Sequence, residues 1–370
     1  MEKVLVHNCR TLESGDTADN WVIFSDRVLK TGNGSSWEQE VFDVSVDAAG
    51  GFLTPAMVDT HTHGGNGHSP SSDIDSLRAI RDFQKSQGVY FGVISLVTSD
   101  LKEILSLIEI AKAYSAEDPG FLGLHLEGPF LSHDQKGAHD PQLLREPTES
   151  ELQTIIEAGA TAATNIVFSM TVASEMFTSV QLELLTQAGI ALCLGHTNSD
   201  YHQAKKFFAL HGKVLTHAFN AMPGIHHRNP GPVPAAIDNT ETYLELIADG
   251  IHVDPAVLRL IDPNRVLLVT DSMVATGLED GQYQLGSLRV TVENSVARTT
   301  DGALAGSTLT MPRAVKVYAS AIGNKELALK AAIENPLRAY SLKPASLEPG
   351  EAARLVLWDE ELNLLKTFNL

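Results

Sequence analysis

Eight short apolar runs, most of them separated by segments of helical spacing, do most to limit what this chain can fold into. The runs cover residues 56–58, 92–96, 123–126, 166–170, 190–194, 214–216, 244–247 and 266–269. Between them, residues 74–86, 101–114, 149–158 and 200–210 repeat apolar side chains at helical intervals. Strands alternating with helices predict an α/β fold with a parallel sheet, and eight such units predict a (β/α)8 TIM-like barrel. The Pro-rich connection 230–240 reads as a loop. A doubly wound open sheet is the rival; it would be expected to open with a glycine-rich phosphate loop, and none follows the first run.

A barrel of this kind carries its chemistry at the C-terminal ends of its strands. The first run leads into Asp59-Thr60-His61-Thr62-His63, and the third ends in His125-Leu126-Glu127. The fifth and sixth lead into Gly195-His196 and Thr216-His217, the seventh into Asp249 and His252, the eighth into Thr270-Asp271. His61 and His63 lie two apart on an extended segment, so both point to one face. Glu127 and Asp271 each close an apolar run, where a carboxylate is costly unless it meets a cation. Imidazole and carboxylate together accept zinc, iron, manganese or cobalt. Taken singly, His61, His63, Glu127, His196, His217 and Asp271 are each compatible with a buried polar group satisfied by hydrogen bonds. Together, at equivalent strand ends, they predict one metal centre.

The two ends of the chain read differently. Val4–Val6, Trp21–Phe24 and Val41–Val44 are strand-like, punctuated by turn signals at Gly32-Asn33-Gly34 and Gly50-Gly51, and Arg354–Trp358 adds another short strand. Residues 1–53 and 343–370 are therefore expected to form a small β-sandwich domain from both termini, with residues 54–342 forming the barrel. The formal net charge of −19 argues against nucleic acid and anionic membranes as partners, because both need a basic footprint. A small anionic substrate remains compatible with it if a few cations gather locally. No apolar run nears the roughly 20 residues of a membrane span, and the start lacks the apolar core of a secretory signal. Cys9 and Cys193 alone make no disulfide framework. These features predict a cytoplasmic protein, with Cys193 in the core rather than acting as a nucleophile.

The strand-end strings resemble a known family. Asp59-Thr60-His61-Thr62-His63-Gly64, His125-Leu126-Glu127-Gly128-Pro129-Phe130, Gly195-His196-Thr197, Thr216-His217-Ala218-Phe219-Asn220-Ala221-Met222 and Thr270-Asp271 look like the N-acetylglucosamine-6-phosphate deacetylases of the amidohydrolase superfamily. Lys136-Gly137-Ala138-His139-Asp140-Pro141, His226-His227-Arg228-Asn229-Pro230-Gly231 and Leu304-Ala305-Gly306-Ser307 extend the likeness over essentially the whole chain. The resemblance implies a metal-dependent deacetylase acting on a phosphorylated amino sugar, with one or two divalent ions per subunit, zinc or iron foremost. It implies Glu127, His196 and His217 as ligands of the main ion, and His61, His63 and Asp271 with a bridging Glu127 at a second. Strand four carries no lysine of the kind that bridges two metals in dihydroorotases, so a strand-three carboxylate has to serve. Asp271 is implied as general base and acid, and His139 as the partner of the scissile carbonyl. Ala138, Asn220, Ala221, Arg228, His252, Leu304, Ala305 and Gly306 are implied as substrate contacts. Arg228 is expected to reach the neighbouring subunit's site in a homodimer. The rival readings are an amidohydrolase acting on another N-acetylated sugar or a cyclic amide, and a deaminase of the same superfamily.

Overall fold

A computed structural model describes residues 2–71 and 73–370. Eight parallel strands, labelled here for the barrel alone, are β1 (Met57–Asp59), β2 (Val89–Leu96), β3 (Phe121–Glu127), β4 (Val167–Val172), β5 (Ala191–Leu194), β6 (Gly212–Leu215), β7 (Tyr243–Leu246) and β8 (Val266–Leu268). They pair strictly in chain order from β1 to β8. The ring closes just beyond the last and first strands, where Thr62 bridges Ser272 in parallel. There the Asp271 N–H donates to His61 O at 2.9 Å, and the His63 N–H to Ser272 O at 2.7 Å. Closure therefore happens at the level of the residues expected to bind metal.

The helical spacings fold as expected. Ile74–Ser86, Leu101–Tyr114, Glu149–Gly159 and Tyr201–Leu210 are helices that turn Leu77, Ile80, Ile104, Leu107, Leu152, Ile155, Phe207 and Phe208 into the core. Side-chain oxygens of Asp73, Asp100, Thr148 and Asp200 accept from the first-turn N–H groups, which are otherwise unpaired. The segment 230–240 is not a plain loop: Pro232–Asp238 is a short helix starting on Pro232. Proline at the first helical position lacks only an N–H that would have had no intrahelical partner, and its φ is already helical. Pro234 falls within the same first turn, so neither proline breaks the helix.

Both chain ends supply two small sheets. One runs Val28–Asn33, Asn20–Phe24, Val4–Cys9, Val44–Asp47; the other runs Leu364–Phe368, Leu355–Trp358, Phe52–Pro55. Val6, Val22 and Phe24 of the first pack on Leu53, Leu355 and Leu357 of the second. The run expected at Val41–Val44 begins its strand only at Val44, whose register on Val4 is set by pairing, and Val41 is left 76% exposed. Trp358 is fully buried, its indole N–H bonded to Thr54 at 3.0 Å, and so ties the C-terminal strand to the N-terminal one. A third sheet, Gly281–Leu285, Leu288–Glu293 and Val296–Thr299, follows β8 and packs Leu285, Val290 and Ala297 on Val97, Met273 and Ala305. Among the described residues no helix is long and apolar enough to cross a membrane. Cys193 is buried in the core, where burial pushes its thiol well up, against service as a nucleophile.

Candidate metal centre and active site

The ends of β1, β3, β5, β6 and β8 deliver six side chains to one buried point. His61 Nε2 and His63 Nε2 lie 3.1 Å apart. His63 Nε2 is 3.0 Å from Glu127 Oε2 and 3.1 Å from Asp271 Oδ1. Across Glu127, its Oε1 lies 3.2 Å from His196 Nε2 and 2.9 Å from His217 Nε2, and those two nitrogens are 3.1 Å apart. The result is two donor groups, His61–His63–Glu127–Asp271 and Glu127–His196–His217, each able to hold a metal ion and sharing Glu127.

Hydrogen bonds on the far side of the rings aim the Nε2 lone pairs inward. Ser95 O accepts from His63 Nδ1 at 3.1 Å, Gln135 O accepts from His196 Nδ1 at 2.8 Å, and Glu245 Oε2 lies 3.3 Å from His61 Nδ1. An imidazole protonated at Nδ1 presents a bare Nε2, as a ligand must. Lone pairs crowded this closely repel unless a cation or protons lie between them. Burial opposes charge on both rings of the His-X-His pair, but the facing carboxylates outweigh it. Glu127 and Asp271 hold His61 well above its ordinary value, and Asp271 and Glu127 hold His63 at about 9. Burial likewise would raise the two acids, yet His61 and His63 hold Asp271 at about 2, and His61 with the other imidazoles holds Glu127 well below the carboxylate range. His196, buried and faced by His139, drops to about 4. The donor set fits a divalent metal, which would displace the protons of His61 and His63, so acid disfavours its binding.

The backbone is strained where these side chains turn in. His196, His217 and Asp271 have φ of 45°, 26° and 46°, a region uncommon for residues with a Cβ. Two glycines allow the close packing around them. A Cβ on Gly195 would lie 2.7 Å from Thr216 Cβ, inside the barrel mouth. On Gly306, at φ +56°, it would lie 2.9 Å from the Asp271 carbonyl oxygen.

A cavity of about 200 Å³ opens above the cluster, with His63, Glu127, His196, His217 and Asp271 at its base. His139 stands at its edge with a defined tautomer. The Thr98 N–H donates to His139 Nδ1 at 3.2 Å and the Thr98 hydroxyl lies 2.7 Å from the same atom. In the neutral ring the proton is therefore on Nε2, which makes His139 a donor toward the cavity rather than a ligand. His252 is held by Asp249, whose Oδ2 accepts from its Nδ1 at 2.7 Å and whose Oδ1 accepts from its backbone N–H at 2.8 Å.

A sequence model described as the amidohydrolase family matches residues 52–370. The chain belongs to the amidohydrolase family. Two relatives are equally similar to this amidohydrolase. An N-acetylglucosamine-6-phosphate deacetylase of Vibrio furnissii is 34% identical over 334 residues, covering 85% of this chain and 81% of that one. An N-acetylgalactosamine-6-phosphate deacetylase of Escherichia coli O157:H7 is 34% identical over 360 residues, covering 94% of each. Among solved structures, a mutant N-acetyl-D-glucosamine-6-phosphate deacetylase of Mycobacterium smegmatis, in complex with N-acetyl-D-glucosamine-6-phosphate, superposes with a TM-score of 0.90 at 32% identity. It spans 99% of this chain and 97% of that one.

In this amidohydrolase the cavity is lined by Ala138, His139, Asn220, Ala221, His252, Leu304 and Gly306 among the expected substrate contacts. Ala305 lies between two of these contacts, fully buried against Met273 and the third sheet with its N–H bound to Ala297 O. Arg228 lies exposed on the 223–231 loop and does not line the cavity of its own chain. Sequence reasoning missed Glu245, Thr98 and Leu285. Glu245 sits inside the apolar run 244–247 and was hidden by it. Leu285 ends the first strand of a hairpin whose signal was present, alternating residues around Gly286-Ser287 and Asn294-Ser295. His125 is the contrasting case, a core histidine satisfied by Ser95 and Thr171 at 2.9 and 2.8 Å.

Proposed function

We propose that this amidohydrolase removes the acetyl group of N-acetylglucosamine 6-phosphate, yielding glucosamine 6-phosphate and acetate. The observation that carries the reading is Glu127, one carboxylate shared by two donor groups at the base of a cavity that also presents Asp271 and His139. What the Vibrio furnissii and Mycobacterium smegmatis proteins act on supports the sugar. We assign Glu127, His196 and His217 to one divalent ion and His61, His63, Glu127 and Asp271 to a second, zinc or iron ahead of manganese or cobalt. Bound there, a divalent cation supplies acidified water at neutral pH and polarises the acyl oxygen.

The chain's own groups do the rest. Asp271 takes a proton from the attacking water and delivers it to the amide nitrogen as the C–N bond breaks, so amide and water become amine and acetic acid, and the acid's proton passes to the amine to leave the sugar's ammonium group and acetate at neutral pH. His139 donates its Nε2–H to the acyl oxygen as that oxygen gains charge. Asn220, Ala221 and His252, with Ala138 and the backbone of Leu304 and Gly306, hold the sugar. Arg228 reaches the phosphate of the neighbouring subunit in a cytoplasmic homodimer, its planar fork matching two phosphate oxygens.

Acetate release from N-acetylglucosamine, N-acetylgalactosamine and N-acetylmannosamine 6-phosphates and their unphosphorylated forms tests this. The galactosamine arm has specific standing, because the Escherichia coli relative is as similar as the Vibrio one. The glucosamine 6-phosphate reading is lost if another member of the panel has the highest kcat/KM. Arg228→Ala is expected to raise KM for the phosphorylated substrate about 10–100-fold, for roughly 1.5–3 kcal/mol of charged hydrogen bonding, and to leave the free sugar nearly unchanged. Equal effects on both would remove Arg228 from the phosphate. In the His61→Ala/His63→Ala variant, elemental analysis is expected to find one ion where the unmodified protein holds two. An unchanged count would exclude the pair as ligands.

A further inference from the structure

We infer that Glu245 is a positioning residue for the ion assigned to His61, His63, Glu127 and Asp271: its carboxylate locks the His61 ring and strengthens it as a ligand without touching the ion or the substrate. Glu245 sits on β7 inside the barrel and is only 2% exposed. Its three polar contacts all come from donors. Thr60 Oγ1 donates to Oε1 at 3.2 Å, His61 Nδ1 faces Oε2 at 3.3 Å, and the His217 N–H faces the same oxygen at 3.4 Å. Among the described residues no Lys or Arg pairs with it, and its one ion-pair partner is His61. A carboxylate this deeply buried, with a single imidazole to answer it, has no evident use in packing, since it interrupts Leu244, Leu246 and Ile247.

The other imidazoles make the point by contrast. His63 and His196 lean on backbone carbonyls, and His217 Nδ1 has no partner at all among the described residues. His61 alone is backed by a carboxylate. A carboxylate behind a ligating histidine fixes its tautomer and raises its basicity, and losing one costs about 10–100-fold in metal affinity. The expected consequence is selective: the ion at His61 and His63 is weakened, and the ion at His196 and His217 is retained.

The inference rests on the two-ion assignment above, and the experiment separates the two. Full-length protein and its Glu245→Gln and Glu245→Leu variants are loaded with Zn2+ alone, dialysed against graded chelator, and assayed for bound zinc, with circular dichroism as the check on folding. Unmodified protein is expected to hold two equivalents. Glu245→Leu is expected to release one of them at about 10–100-fold lower chelator strength and keep the other. Glu245→Gln, whose amide oxygen still accepts from His61, is expected to fall between; it has the native shape and carries the test should the Leu variant not fold. Folded variants that hold both ions as tightly as the unmodified protein, or that lose both in parallel, overturn the role of Glu245. A single equivalent in the unmodified protein instead overturns the two-ion assignment, and this inference with it.

Discussion

Asp271→Asn is expected to fold, to keep its metal, and to lose turnover by about 10²–10⁴-fold, the range that a positioned general acid–base contributes. The fold should survive because the backbone does the structural work at this position. The Asp271 N–H donates to His61 O and its carbonyl accepts from the Ser307 N–H at 2.7 Å, and neither bond needs the carboxylate. Metal should be retained because an amide oxygen still stands where Oδ1 lies, 3.1 Å from His63 Nε2. What is lost is the carboxylate that exchanges the proton. A carboxylate at this position can accept a proton and hand it on, and a neutral amide cannot take its place. KM should change little while kcat falls, since the group acts on the water and the leaving nitrogen rather than on the bound sugar. The measurement is kcat beside metal content on one preparation. Near-normal kcat with full metal occupancy would take Asp271 out of proton transfer.

The barrel was legible because its period was. Each apolar run from 56–58 to 266–269 became a strand in the expected order, and the spacing of 74–86 or 101–114 marked helices almost to the residue. The six side chains that gather in the two donor groups were legible because His and carboxylate at the ends of apolar strands are chemically anomalous. What supports them was not, for identifiable reasons. Glu245 lies between Leu244 and Leu246 in a run that reads as core, and only the barrel's curvature brings it under His61, from a position 184 residues away. Thr98 sets the tautomer of His139 through a backbone N–H, which no side-chain pattern encodes. The Pro-rich connection 230–240 reads as a loop because proline's meaning depends on where in a helix it falls, and Pro232 falls at the first position. The inward turns at His196, His217 and Asp271 need positive φ at residues that usually avoid it, so local preference pointed away from what the packed barrel imposes.

Replacing the shared ligand should have the largest effect of all. Glu127→Gln is expected to bind neither ion after desalting and to lose activity by more than about 10⁴-fold, since polarisation of the acyl oxygen alone is worth about 10²–10³ and the acidified water goes with it. One oxygen of Glu127 is within 3.2 Å of both His196 and His217 and the other is 3.0 Å from His63, so its charge is the anion around which both groups are arranged. With it gone, the Glu127–His196–His217 group keeps two imidazoles and no anion, and the other group keeps His61 and His63 with Asp271 as its one anion. A neutral amide has one oxygen for two ions, and its NH₂ would face imidazole nitrogens that need a cation. Sharing thus makes an ordered prediction. Elemental analysis should find two ions in the unmodified protein, one in the His61→Ala/His63→Ala variant, and none in Glu127→Gln, although the last changes fewer atoms. One ion retained in Glu127→Gln would mean that the carboxylate belongs to a single group, and the proximity of its two oxygens to both would then be a matter of packing.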